Sequence, residues 1–181
     1  MYYEEIEKWT RSTLISHLPL LLAEEMDSHP DSLVLTMPVS FDMSSVIGGV
    51  TRVARDTLPQ YAVECATKRL DATGEDIPTY IYTGTLTLMI GDVSPARVDA
   101  ITKRHATCVE KWINSHLNPF PIGDDVETNY WIQEMSFAYS AFSGAMPMEQ
   151  SASNQQDVEF WVSGVELGLL WRVAEVAPHN G

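Results

Sequence analysis

The residues whose side chains could do chemistry are scattered along this chain of 181 residues and match no catalytic motif. Its five histidines show no H-x-x-x-H or H-E-x-x-H spacing, and Cys65 and Cys108 form no C-x-x-C pair, so neither zinc nor a redox dithiol is indicated. There is no G-x-S-x-G nucleophile elbow, and Gly48-Gly49 lacks both the P-loop lysine and the dinucleotide fingerprint. We therefore predict no catalytic residue, no metal site and no cofactor, and hence no enzyme.

Two histidines and two acidic pairs are the residues whose positions could suggest a binding site. His105 and His116 can share one face of a helix, but that face also carries Cys108 and Trp112, as a core-packing face does. Glu75-Asp76 and Asp124-Asp125 are adjacent carboxylates in predicted loops, and no EF-hand spacing surrounds either pair. We interpret the histidines as core residues and the acidic pairs as solvated loops.

The charge and composition limit the classes of partner. The net charge is −14 and the pI is near 4.5, so the surface repels phosphate and specific nucleic-acid binding is disfavoured. The charge favours either simple solubility or a surface that must not adhere to passing DNA. We expect no membrane span, because no apolar run is long enough, and no secretion, because the start of the chain is acidic. Cysteine usage fits a reducing compartment.

The elements that must position these residues follow from hydrophobic periodicity. We predict helices over 2–27, where Pro19 interrupts the pattern, and over 95–117, where Ser94 is the N-cap and Pro95 the first helical residue. We predict strands over 60–70, 79–90, 129–142 and 157–176, the first two pairing antiparallel. In the third strand Trp131, Gln133, Met135, Phe137 and Tyr139 should share one face, and Gly164 and Gly168 should mark bulges or bends in the fourth.

These elements predict an α+β fold in one domain spanning residues 1–181. An antiparallel sheet of four to five strands would carry the N-terminal helix and one long helix packed on the sheet. Residues 33–58 are predicted to be a long arm or loop, and residues 143–156 a flexible loop.

The order of elements resembles the tail terminator and tail completion (neck, head–tail joining) proteins of tailed bacteriophages. The segments that carry the resemblance are QYAVECATKRL, TYIYTGTLTLMIGDVSPARVDAITKRHATCVEKWI and the strands at 129–142 and 157–176. The resemblance implies a structural virion protein, made in the bacterial host cytoplasm, that forms a ring, commonly a hexamer. That ring would cap the tail tube, contact tube, sheath and connector proteins, and let DNA pass without specific binding. Loops facing the lumen or an interface would then contain Asp42, Glu75, Asp76, Asp124 and Asp125.

Two alternatives remain open at this point. A small α+β ligand-binding domain or enzyme would have a pocket between helix 95–117 and the sheet, lined by Tyr82, His105 and Trp112. An acidic mimic of DNA would need carboxylates spaced like phosphates on one face, whereas the acidic residues here are scattered. A pocket with a perturbed histidine would favour the first alternative, and packed long loops between subunits would favour the ring.

Overall fold

The computed structural model describes residues 2–41, 58–71, 77–115, 120–121, 130–148 and 160–175. Their elements are α1 (Tyr3–Ser28), β1 (Gln60–Asp71), β2 (Thr79–Asp92), α2 (Pro95–Ser115), β3 (Phe120–Pro121), β4 (Tyr130–Pro147) and β5 (Trp161–Glu175). The strands form one sheet in the order β1-β2-β5-β4-β3, and each neighbouring pair is antiparallel. The predicted α+β class is confirmed, as is the pairing of β1 with β2; the single-domain assignment stays a prediction.

Helix α1 continues through Pro19 as one helix. Its buried residues recur every three or four positions, which places them on one stripe: Ile6, Thr10, Leu14, Leu18, Leu22 and Glu25. Thr10 can lie in this apolar stripe because its hydroxyl is satisfied twice. It donates to the carbonyl oxygen of Ile6 at 2.7 Å and accepts from the indole N–H of Trp171 in β5 at 3.1 Å.

Helix α2 begins as the sequence predicts. The hydroxyl of Ser94 accepts a hydrogen bond from the backbone N–H of Arg97 at 3.4 Å, and Pro95 is the first helical residue. Its inward face packs on β2, β4 and β5 and consists of Val98, Ile101, Thr102, His105, Ala106, Cys108, Val109, Trp112 and Ile113. The predicted interpretation of His105 as a core residue is therefore confirmed, while His116 lies outside the described residues.

The core lies between the two helices and one face of the sheet. In β2 the alternation of the sequence places Tyr80, Tyr82, Leu86, Leu88 and Ile90 on one face, and all of them except the half-buried Tyr80 are buried. Strand β5 is central, and its buried residues on this face are Val165, Leu167, Leu169, Trp171 and Val173. Alternation along both strands gives the sheet one apolar face, against which the helices bury their stripes.

Strand β4 corrects two predictions. It extends to Pro147, so the predicted flexible loop at 143–156 is wrong over 143–147; residues 149–156 lie outside the described part of the chain. The predicted common face is also wrong, because bulges follow Ile132 and Phe137. Each bulge adds one residue against β5 and reverses the alternation, so Trp131 and Met135 lie on opposite faces, as do Phe137 and Tyr139. The bulges lie in β4, whereas β5 continues without interruption through Gly164 and Gly168.

The beginning of the predicted arm at 33–58 contains no strand. Val39 and Ser40 lie beside the start of β1, where Ser40 forms an isolated parallel bridge with Gln60. The remainder of the predicted arm, residues 42–57, lies outside the described residues.

Candidate interaction surface

Among the described residues, the outer edge of β4 has a paired strand only at its beginning. The two-residue strand β3 pairs only with Trp131 and Ile132, so no described strand pairs with residues 134–147 on that side. An edge of this kind presents backbone N–H and C=O groups to which another chain can add a strand. As far as the described strands go, the sheet thus has a long available edge on its β4 side.

Large apolar side chains are exposed along this same edge. We call Phe137, Tyr139, Phe142 and Met146 the β4 strip; their exposed fractions are 37%, 47%, 40% and 57%. Phe137 and Phe142 lie opposite Leu169 and Val165, on the face that carries the helices, whereas Tyr139 and Met146 lie on the other face. The strip therefore lies on both faces of this edge, and a cluster of exposed apolar side chains marks a candidate interaction site.

Contacts within the subunit hold the β4 strip in place. The hydroxyl of Tyr139 donates to the Glu166 carboxylate at 2.7 Å, which raises the pKa of Tyr139, and its ring lies against Gly168. A Cβ at position 168 would lie only 2.2 Å from that ring, so glycine is required for the approach. The Nζ of Lys103 in α2 lies 4.8 Å from the centroid of the Phe142 ring, a cation–π contact. The rings of Tyr139 and Phe142 are therefore held in defined orientations by contacts within the chain.

The first half of the opposite sheet edge, in β1, is covered. The backbone N–H of Tyr61 donates to the Ser40 carbonyl at 2.9 Å, and the N–H of Cys65 donates to a carboxylate oxygen of Glu7 at 2.8 Å. A bulge follows Cys65 and disturbs the ladder further. A covering segment, a charged side chain and a bulge all block strand addition, so this part of β1 is unsuited to pairing with another subunit.

The segment 33–41, whose Val39 and Ser40 bond to residues 59–61, has its own exposed apolar residues. Leu35 is buried, Leu33 and Phe41 pack against the core, and the Phe41 ring meets the Tyr61 ring edge-on at 5.6 Å between centroids. The side chains that remain outside are Val34, Met37 and Val39, 62%, 37% and 65% exposed, which we call the segment strip. Leu33, Leu35 and Phe41 thus anchor the segment to the core, while the side chains of the segment strip, which lie between them in sequence, remain exposed.

These two strips account for most of the exposed apolar side chains. Among the described residues twelve large hydrophobic side chains are exposed, of which four belong to the β4 strip and three to the segment strip. Single exposed apolar residues are ordinary, but concentration in two places is not. Val39 lies beside the start of β1, so this end of the segment strip and the β4 strip are at different edges of the sheet.

The three residues expected to line a ligand pocket are core residues. Tyr82, His105 and Trp112 are at most 1% exposed and pack between α2 and the sheet. The Tyr61 hydroxyl and His105 Nδ1 lie 2.5 Å apart, and His105 Nε2 has no hydrogen-bond partner within the described part of the chain. Burial lowers the pKa of His105 to about 4 and raises that of Tyr61. The imidazole is therefore neutral at physiological pH and shares a hydrogen bond with the Tyr61 hydroxyl.

A groove of about 400 Å³ does exist, but on the outer side, where α1 and α2 meet. Its charged residues neutralise one another. The buried Glu25 carboxylate accepts a hydrogen bond from Lys111 Nζ at 2.7 Å and lies 3.4 Å from His29 Nδ1, while Arg104 binds Asp31. Because these groups already have partners, we assign the groove no ligand.

A second ionisable cluster lies where β1, β2 and β5 meet near the start of α1. The Glu175 carboxylate accepts from Lys68 Nζ at 2.7 Å and from the Tyr82 hydroxyl, and Lys68 Nζ lies 3.9 Å from the centroid of the Tyr80 ring. Burial and the hydrogen bond to Glu175 raise the pKa of Tyr82 well above its ordinary value. The cluster is satisfied internally and fixes the ends of three strands.

The predicted site residues Asp42, Glu75, Asp76, Asp124 and Asp125 all lie outside the described residues, so their placement in lumen or interface loops stays a prediction. Within the described ranges, no three His, Cys, Asp or Glu side chains are grouped to hold a metal ion. In the same ranges no helix is long and apolar enough to cross a membrane.

Sequence reasoning missed the β4 strip, although a signal for it was present. Aromatic and large apolar residues continue every two to four positions from Phe137 to Met146, past the predicted end of the strand.

Comparison with known proteins adds no assignment: no family model matches this chain, and no curated protein matches it.

Proposed function

We propose that this protein is a structural subunit of a bacteriophage tail, and that it forms a ring at the head-proximal end of the tail tube. The ring, a hexamer by resemblance to tail terminator proteins, caps the tube and joins it to the head. The observation that carries the proposal is the edge of β4, where no described strand pairs with residues 134–147 and where the exposed apolar β4 strip lies.

Two different interaction surfaces on one subunit suit a ring. A contact between unlike surfaces is head-to-tail, and repeated head-to-tail contacts close into a ring when the rotation between subunits permits. A single self-complementary patch would instead give a two-fold dimer. The separated strips therefore favour cyclic assembly.

The charge supports the passage of DNA through such a ring. With 25 acidic and 11 basic residues, the chain has few groups that could bind phosphate. DNA-binding proteins gain affinity by neutralising phosphates with lysine and arginine, so an acidic ring would let DNA slide without being held.

The remaining partners are other virion proteins: the tail tube, the sheath and the connector. The protein is made in the bacterial host cytoplasm and resides in the virion.

The ligand-binding alternative has no comparable support. It required a pocket lined by Tyr82, His105 and Trp112, and these three side chains are packed in the core. Surface contact, with no turnover, is the function that the described residues favour.

Native mass spectrometry and negative-stain images of the purified protein test the proposal. The wild type should form closed rings with a central hole. An edge variant, Phe142→Glu with Met146→Glu, should be a monomer because two charges would enter the contact. The matched control, Ile15→Glu with Leu20→Glu, adds the same charge to exposed positions of α1 and should assemble like the wild type. A wild type that stays monomeric at the highest soluble concentration contradicts the proposal, as does an edge variant that still forms rings.

A further inference from the structure

We propose that the Tyr61–His105 pair is an acid-sensitive link: when His105 is protonated, residues 39–41 detach from the start of β1 while α2 stays on the sheet. The link is a conformational device within one subunit, and it holds whether or not the protein forms a ring. Detachment frees the backbone N–H of Tyr61, which the segment covers at neutral pH. Acid would thus uncover the first part of the β1 edge.

Tyr61 is the residue that joins His105 to the segment. Its hydroxyl lies 2.5 Å from His105 Nδ1, and the two rings meet edge-on with 5.8 Å between their centroids. Its backbone N–H donates to the Ser40 carbonyl at 2.9 Å, and its ring meets the Phe41 ring at 5.6 Å between centroids. A movement of Tyr61 away from a charged imidazole therefore acts directly on residues 40 and 41.

A protonated His105 would lack a hydrogen-bond acceptor. Its side chain is fully buried, and Nε2 has no hydrogen-bond partner within the described part of the chain. Protonation puts an N–H on both ring nitrogens, so Nε2 would become a buried donor with nothing to bind. The same burial lowers the pKa of His105 to about 4. The imidazolium is therefore stable only where water can reach it.

The titratable groups of the surrounding elements supply no compensating charge. On β1, β2, β4 and α2 those in the core are phenols and thiols, which are neutral below pH 8 because burial raises their pKa values: Tyr61, Cys65, Tyr82, Tyr130 and Cys108. The carboxylate of Glu25 in α1 binds Lys111. The carboxylate of Glu175 in β5 binds Lys68. Among the described residues, none of these charges contributes to the low pKa of His105.

Residues 39–41 are the most weakly held of the parts that surround this pair. Helix α2 is held by nine buried side chains. The described contacts that join residues 39–41 to β1 and its preceding turn are two backbone hydrogen bonds, the bridge at Ser40 and the partly buried Phe41 ring. Segments with few buried contacts open at the lowest free energy. Leu35 is buried and keeps the earlier part of the segment in place, so detachment is limited to its end.

Amide hydrogen exchange of the wild type at pH 7.5 and pH 5, corrected for intrinsic rates, tests the proposal. The N–H of Tyr61 reports detachment because its acceptor is the Ser40 carbonyl, whereas the N–H of Val109 in α2 reports global unfolding. Detachment restores the ordinary pKa of 6.5 to His105, against about 4 in the closed state. The corrected exchange at Tyr61 should therefore be about 30-fold faster at pH 5. It should exceed the exchange at Val109 at both pH values.

Two variants assign the effect to His105. In His105→Asn the corrected exchange at Tyr61 should no longer rise at pH 5, and His105→Gln replaces this variant if it does not fold. The matched control His17→Asn removes an exposed histidine of α1 and should keep the full rise.

Three results would overturn the proposal. The first is equal corrected exchange at Tyr61 at the two pH values in the wild type. The second is a rise that persists when His105 is replaced. The third is exchange at Tyr61 that is as slow as at Val109, since the segment would then leave β1 only when the whole protein unfolds. The first and third need no variant, and none of the three bears on ring formation.

Discussion

Lowering the pH should destabilise this protein through a single buried side chain, His105. Its imidazole is fully buried between α2 and the sheet, where Nδ1 contacts the Tyr61 hydroxyl. The described titratable group in contact with it is Tyr61, which is neutral below pH 8 because burial raises its pKa. No charge in this environment stabilises an imidazolium, so the folded protein resists its protonation.

The magnitude follows from the two pKa values of His105. Burial holds the folded pKa at about 4, against an ordinary value of 6.5. Between these values the unfolded chain binds the proton and the folded chain does not, so stability falls as pH falls from about 7 to about 4. The full difference corresponds to about 3 kcal/mol, of which about 2 kcal/mol should be lost by pH 5. Above pH 7 the contribution is constant.

Urea denaturation at several pH values between 7.5 and 4.5 measures this loss. Comparison with His105→Asn is essential, because carboxylates also titrate in this range and asparagine keeps a polar atom near Tyr61 without titrating. The difference in unfolding free energy between the two proteins should shrink as the pH falls, by about 2 kcal/mol at pH 5. Parallel pH profiles for the wild type and His105→Asn would refute the reasoning.

Three further substitutions test the packing. Thr10→Val should lower the free energy of unfolding by about 1–3 kcal/mol in chemical denaturation, because it leaves the buried indole N–H of Trp171 without its acceptor. Thr10→Ser keeps the hydroxyl and should retain most of the stability, so equal losses in the two variants would contradict the role of this hydrogen bond. Gly84→Ala should lower the free energy of unfolding by at least about 1–3 kcal/mol, because the added Cβ would lie 1.9 Å from a backbone carbonyl oxygen of β1. An unchanged melting temperature would exclude this close approach. Glu7→Ala should accelerate hydrogen exchange at the amide of Cys65, which loses its acceptor, whereas exchange as slow as in the wild type would mean that Glu7 does not protect this edge.

Local patterns in the sequence predicted the regular elements well. The alternation in β2 identified its buried face, and the Ser94-Pro95 pair located the start of α2. In both elements one local signal decides the structure: the period of two in a strand, and the capping of free N–H groups at a helix start. The sheet pairing of β1 and β2 followed because only a short loop separates them.

The errors arose where distant parts of the chain decide the structure. The faces of β4 depend on bulges at Gln133 and Ala138, which form only against the uninterrupted β5. Nothing in the local pattern reveals an inserted residue, so simple alternation assigned Trp131 and Tyr139 to the wrong faces. The role of Thr10 likewise depends on Trp171, which lies 161 residues further along the chain.

The candidate site was hard to predict for the same reason. Whether an apolar residue is exposed at a sheet edge depends on strand order, which a single sequence does not reveal. Phe142 and Met146 became recognisable as surface residues only when β4 was placed beside a strand of two residues. The acidic loop residues chosen from the sequence remain predictions.

The native mass of the purified wild type, measured together with images of the same sample, tests the central claim most directly. The account predicts a closed ring with a central hole, and a mass that is a whole multiple of the 20.2 kDa subunit. The edge variant, Phe142→Glu with Met146→Glu, should give the mass of one subunit under the same conditions. A compact wild-type monomer at the highest soluble concentration would contradict the account.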